Sequence, residues 1–168
     1  VLTITLWDDP ILSKVAEPIA DSAFGPQLEA FGQDMIETMV TKKGVGLAGP
    51  QVGVSSRIFV MTFPDHEDRK PIVVVNPVLK LDGWFTYERE GCLSLPGLYE
   101  QVERRNDVIM QYFNPIGEPQ ERHVTKWDSR IAQHEFDHLN GIMFFDRMSR
   151  QMKKRLLKEW EETRGKAR

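Results

Sequence analysis

Residues 127–139 read WDSRIAQHEFDHL, and within them His134-Glu135-Phe136-Asp137-His138 fits the H-E-x-x-H pattern. Trp127, Ile131, His134 and His138 recur at spacings of three and four, so the stretch is expected to be helical. Four residues turn an α-helix by about 400°, which puts both imidazoles on one face, a single turn apart. Two such nitrogens can reach one metal ion at about 2.0–2.1 Å. Glu135 lies about 100° round the same turn, beside that ion rather than on it, where a general base for water belongs.

Outward from this helix the pattern changes. Downstream, a last helix is expected from near Ser149, with Met152, Leu156, Leu157 and Trp160 turned inward. Upstream, residues 106–113 (NDVIMQYF) and 120–126 (QERHVTK) read as strands joined by the turn Asn114-Pro115-Ile116-Gly117. Arg57–Thr62 and Pro71–Asn76 are two more short apolar runs, separated by the charged loop PDHEDRK. Residues 26–42 carry Leu28, Phe31, Met35, Ile36 and Met39 on one helical stripe, with Pro26 suited to the first turn and Lys42-Lys43-Gly44 to the stop. Two or three helices with about five short strands, not regularly alternating, argue an α+β fold. No repeat or Ser/Gly-rich linker divides the chain, so residues 1–168 are read as one domain.

Composition narrows the class. With 40% hydrophobic and 28% charged residues, the 168-residue chain suits a globular core. Cys92 is the only cysteine, which excludes an intrachain disulfide and points to a reducing cytoplasm. No apolar run approaches the roughly 18–20 residues of a membrane span, and the opening VLTITLWDDP does not read as a signal peptide. Residues 147–168 hold nine Lys/Arg against three Glu, a local +6; since the chain sums to −3, the remainder carries −9. That tail is either a solvated amphipathic helix or a docking element for a polyanion.

Two histidines need a third ligand. A third histidine six residues after His138, as in one large zinc-protease group, is absent, because Phe144 stands there. A glutamate from the last helix is a second option, with Glu159, Glu161 and Glu162 in range. Cys92, in the Gly-flanked stretch Glu90-Gly91-Cys92-Leu93-Ser94, is the better candidate, since a thiolate is a strong ligand for a divalent transition metal. Two imidazoles and one thiolate leave a position open, as catalytic sites require. A third stretch, Gly44-Val45-Gly46-Leu47-Ala48-Gly49-Pro50-Gln51, lacks the Lys-Ser/Thr ending of a phosphate loop and alone reads as a helix-to-strand turn. Its glycines allow close approach by another chain, and Gln51 offers an uncharged amide donor.

Taken together, GVGLAGPQ, EGCLS and QHEFDH, in that order, closely resemble the three signature motifs of the peptide deformylases. The resemblance covers essentially the whole chain. It implies antiparallel sheets enclosing a central H-E-x-x-H helix, with an N-terminal and a C-terminal helix. The activity it implies is removal of the N-formyl group from the first methionine of new polypeptides. Gly49 departs from the alanine usual in that family and is expected to loosen the turn before Gln51. The resemblance also implies ferrous iron as the metal, with zinc, nickel or cobalt as other occupants. It places Cys92, His134 and His138 as ligands, Glu135 as general base and acid, and the Gln51 amide with the Leu93 N–H at the oxyanion.

Substrate backbone is expected to add as a strand along Val45-Gly46 and Gly91. Trp127 and Ile131 are candidates for an apolar methionine slot, and Glu90 calls for a cation, with Arg104 the partner. The expected partners are nascent formylated polypeptides and, through the basic tail, the ribosome; no membrane is involved, and the chain is expected to be a monomer. Two other functions stay open at this level, a small metallopeptidase with a late glutamate ligand and a non-enzymatic binder of polyanions.

Overall fold

The computed structural model describes residues 1–166; Ala167 and Arg168, counted above in the basic tail and in the 1–168 domain, lie outside the described residues. The apolar stripe and Pro26 form helix α1, Pro26–Thr41, with Met35 and Met39 fully buried. It ends as the lysine–glycine signal suggests: Lys43 adopts a left-handed φ of 59°, and the Gly44 N–H closes back on the Met39 carbonyl. The H-E-x-x-H stretch forms α2, Lys126–Leu139, and the basic tail forms α3, Arg150–Lys166.

Five strands form one antiparallel sheet in chain order: β1 Gly46–Ala48, β2 Ile58–Met61, β3 Ile72–Gly91, β4 Tyr99–Phe113 and β5 Pro119–Thr125. The α+β, antiparallel architecture expected from the sequence is therefore the one adopted. Two strands are far longer than the short runs read from the sequence. β3 continues past Asn76 for fifteen more residues, and β4 begins at Tyr99 rather than 106. Their far part pairs mainly with each other, so most side chains from Lys80 to Arg89 are exposed and leave no buried alternation to read. Pro77 falls in the register shift between Val75 and Val78, one of the few places a strand accepts proline.

The GVGLAGPQ stretch is not simply a turn. Gly46–Ala48 pairs with β2 as an edge strand, Gly46 opposite Met61, before a 3-10 turn over Gly49–Val52. Gly49 tightens that turn rather than loosening it: a Cβ there would lie 2.8 Å from the carbonyl oxygens of Val54 and Ser56. The backbone returning towards β2 closes directly onto Gly49 because nothing projects from it.

Three apolar clusters hold the layers together. α1 covers β1, β2 and the start of β3 through Met35, Met39, Leu47, Ile58 and Val60. Ile131, Ala132 and Leu139 of α2 pack on Phe59, Val74, Val108 and Met110 from the sheet. α3 closes a third cluster with Leu156 and Trp160 against Leu12, Leu95 and Phe145. Leu157 is only partly buried, and the Met152 sulfur lies against the Arg155 guanidinium rather than in the core. The N-terminal residues stitch across the fold. Thr5 N–H donates to the Gln51 carbonyl, Trp7 N–H to the Ser94 carbonyl, and the Trp160 indole N–H to the Trp7 carbonyl.

Candidate metal centre and active site

Helix α2 carries the site, and it is buried on nearly every side although Asp128, Arg130, Gln133, His134, Glu135, Asp137 and His138 are polar. A polar helix can be enclosed this way only if its groups find partners. His134 and His138 stand one turn apart as their spacing requires, with ring centroids 5.1 Å apart. Cys92 approaches them from the turn after β3, which is closed by the Leu95 N–H on the Cys92 carbonyl. The three ligand atoms lie within 4.8 Å of one another, and Cys92 Sγ is 3.4 Å from His138 Nε2. The glutamates offered as an alternative third ligand, Glu159, Glu161 and Glu162, are exposed on α3 and are not part of this cluster.

The groups behind the ligands fix their aim. Glu90 Oε1 sits 2.8 Å from His134 Nδ1, which leaves Nε2 as the nitrogen His134 presents to the cluster. Arg104 holds the same carboxylate through two bonds of 2.9 and 3.0 Å, the pairing expected from the sequence. Burial alone would raise Glu90, but the hydrogen bonds from His134 and Arg104 hold it well below the usual carboxylate range.

Three members of this network were not anticipated. Arg130 bonds Glu90 at 2.7 Å as well as Val102 O and Thr86 O, while Asp137 takes Arg104 at 2.6 Å and Arg147 at 2.8 Å. Arg130 had a signal, since it stands four residues before His134 on the same helical face.

Gln51 is 1% exposed, and its amide is oriented unambiguously. Its Oε1 accepts the Ala48 N–H at 2.9 Å, so Nε2 points at Ser94 Oγ, 3.1 Å, and Cys92 Sγ, 3.4 Å. Leu93 lies in the turn between Cys92 and Ser94, its side chain against Gly44. Glu135 is buried, and its Oε1 has no hydrogen-bond partner. Burial pushes its carboxyl up to about 7, against the opposing pull of His134. The carboxylate occupies the space where a side chain on Gly46 would be. The close approach that Gly46 permits is thus made first by the chain's own Glu135.

A cavity of about 560 Å³ opens beside the cluster; Val45, Gly46, Gly91, Cys92, Leu93, His134 and Glu135 are among its walls, with Trp127 and Ile131 on the α2 side. The residues fit a metal ion. A thiolate and two imidazoles make a donor set suited to a divalent transition metal, and three protein ligands are the number that catalytic sites of this kind use. Burial lowers His138 towards the neutral, ligating form. Burial would lower His134 too, yet Glu135, Cys92 and Glu90 raise it well above the usual imidazole range.

The family model described as polypeptide deformylase matches residues 1–154. A peptide deformylase of Thermotoga petrophila is 42% identical over 147 residues, 87% of this chain and 86% of its own. The crystal structure of peptide deformylase from Thermus thermophilus superposes with a TM-score of 0.87 at 37% identity, covering 100% of both chains. That of Ehrlichia chaffeensis gives a TM-score of 0.91 at 29% identity, over 99% of this chain and 98% of its own. Identity at these levels along nearly the whole chain leaves no room for a shared fold with a separate ancestry: the chain belongs to the polypeptide deformylases, metal-dependent hydrolases whose activity is removal of the N-formyl group.

Proposed function

We propose that Cys92, His134 and His138 hold one divalent metal ion and that Glu135 is the proton carrier for hydrolysis of N-terminal formylmethionine. When bound, a divalent cation there supplies Lewis-acid polarisation of the formyl carbonyl and acidifies a water. Glu135 takes a proton from the attacking water as its oxygen bonds to the formyl carbon. As the carbon–nitrogen bond breaks, Glu135 returns that proton to the departing amine, and formate and a free N-terminus are released. The Gln51 Nε2 and the Leu93 N–H donate to the carbonyl oxygen while it carries negative charge, each worth about 3–4 kcal/mol in the transition state. Gln51 is suited to this because its amide cannot flip without losing the Ala48 bond.

Substrate backbone adds along the free edge of β1 and beside Gly91. The Val45 carbonyl already accepts the Thr62 N–H, and alternation along the strand turns the Gly46 amide and carbonyl to the open side. Trp127 and Ile131 line the slot for the methionine side chain. Ferrous iron is the resident metal in this reading, and zinc, nickel and cobalt suit the same ligands. A reducing cytoplasm is the compartment that suits an oxidisable thiolate ligand. Residues 1–168 act as one domain and as a monomer; Trp160 of α3 bonding back to Trp7 supports the first of these.

The observation that carries the reading is the clustering of three potential ligand atoms beside a cavity lined by Cys92, His134 and a buried Glu135 whose Oε1 has no partner in the protein. Protein loaded anaerobically with iron(II) should release formate from formyl-Met peptides and leave acetyl-Met peptides intact. Equal hydrolysis of both, or of neither, would overturn it.

The basic helix α3 is proposed to hold the enzyme on ribosomal RNA. Lys153 is bonded to Asp146 and Arg155 to Glu100, so the cations free to meet a polyanion include Arg150, Lys154 and Lys158, all exposed. Charge reversal at these three should abolish ribosome co-sedimentation at low salt without altering peptide turnover. Co-sedimentation equal to that of the unaltered protein would reduce α3 to a structural element.

A further inference from the structure

The cavity mouth carries one sign of charge. Lys42 and Lys43, at the end of α1, stand on one wall just before Gly44-Val45-Gly46. Arg89 stands on the other, two residues before Gly91 and therefore on the same face of β3, with its guanidinium 5.7 Å from the Tyr99 ring centroid. All three are exposed, and among the described residues none is in an ion pair. Among the described residues, the only carboxylates lining the cavity are buried: Glu135 at its floor, and Glu90, which is bonded to Arg104, Arg130 and His134. Glu88, the exposed neighbour of Arg89, alternates to the opposite face of β3. A chain of net charge −3 thus presents three uncompensated cations where its substrate must leave the site.

We propose that Lys42, Lys43 and Arg89 select for acidic residues at the second to fourth positions of the formylated substrate. The inference rests on the deformylase reading of the site. With methionine in the slot beside Trp127 and Ile131, the following residues advance about 3.3 Å each along the strand edge. They pass between the wall that ends in Lys42-Lys43-Gly44 and the wall formed by Arg89 and Gly91. Aspartate or glutamate there meets cations from both sides, whereas lysine or arginine is repelled. Rim charges of this kind act on encounter and specificity more than on chemistry, and salt screens them.

The test compares kcat/KM for formyl-Met-Asp-Glu-Ala, formyl-Met-Lys-Lys-Ala and formyl-Met-Ala-Ser-Ala peptides. The acidic peptide should exceed the basic one by roughly tenfold at low salt, and the ratio should collapse towards one near about 1 M salt. The combined change Lys42→Glu, Lys43→Glu and Arg89→Glu should invert the order. If that protein does not fold, Arg89→Glu alone, on an exposed strand position, should still reduce the ratio by severalfold. Equal rates for acidic and basic peptides, or an order unmoved by the substitutions, would overturn the proposal. Lysines that serve only the negative end of α1 would give that second result, with a lowered Tm. Turnover of the neutral peptide tests the deformylase reading separately, because its failure leaves the charge ratio readable by calorimetric binding of the deformylated peptides.

Discussion

Glu135→Gln should lower kcat by about a hundredfold or more while the protein keeps one metal ion per chain. Glutamine has the same shape, so it fills the space left by Gly46 and leaves the proposed ligands His134 and His138 where they are. What it removes is the proton acceptor. Oε1 of Glu135 is buried without a hydrogen-bond partner in the protein, and the residue lines the cavity, which suits a carboxylate proposed to exchange a proton with a bound substrate. Because the proposed role of the group is on the reacting atoms and not on the peptide backbone, KM should change little while kcat falls. Steady-state kinetics beside elemental analysis check both halves. A rate near that of the unaltered enzyme would mean that the proton travels by another route.

Cys92→Ala should abolish stoichiometric metal binding. The two imidazoles alone supply only two ligands, too few for a closed or a catalytic site of this type. The substitution costs the fold little, since Cys92 is only partly buried and Gln51 keeps its 3.1 Å bond to Ser94 Oγ after the sulfur is gone. The variant should therefore fold, show a circular dichroism spectrum like that of the unaltered protein, and carry far less than one metal per chain after dialysis. One retained metal per chain would remove Cys92 from the ligand set and reopen the search for a third donor.

Much of this site could be read in advance because helical spacing is a geometric constraint. Residues four apart must share a face, so His134 and His138 had to converge whatever surrounded them, and Glu135 had to stand beside them. The α1 stripe was legible for the same reason. The β3 arm of the β3–β4 ribbon was not: from Lys80 to Arg89 most of its side chains are in water, so no core side imposes alternation on that stretch of sequence. The role of Gly46 was hidden as well. Whatever fills the space beside a glycine comes from elsewhere in the chain, and Glu135 arrives from a helix far downstream. The Glu90–Arg104 pair followed from the need of a buried carboxylate for a cation, but that rule gives no count of cations. It could not foresee that Arg130 would join, or that Asp137 would draw Arg104 and Arg147 into one chain of charges.

Several of the bonds that hold the site are closures over long stretches of chain. Gln51 reaches Cys92 across 41 positions, Glu90 reaches His134 across 44, and Cys92 reaches His138 across 46, while Trp160 returns to Trp7 across 153. Each such loop must lose its entropy before its contact contributes anything, which places domains of this topology among the slower folders. Catalytic competence is therefore expected to return after the helical signal in refolding. During synthesis the ordering is stricter still, since a chain that has not yet released α2 owns neither histidine. An enzyme that works on the beginnings of other polypeptides is itself idle until the helix that carries His134 and His138 has been made.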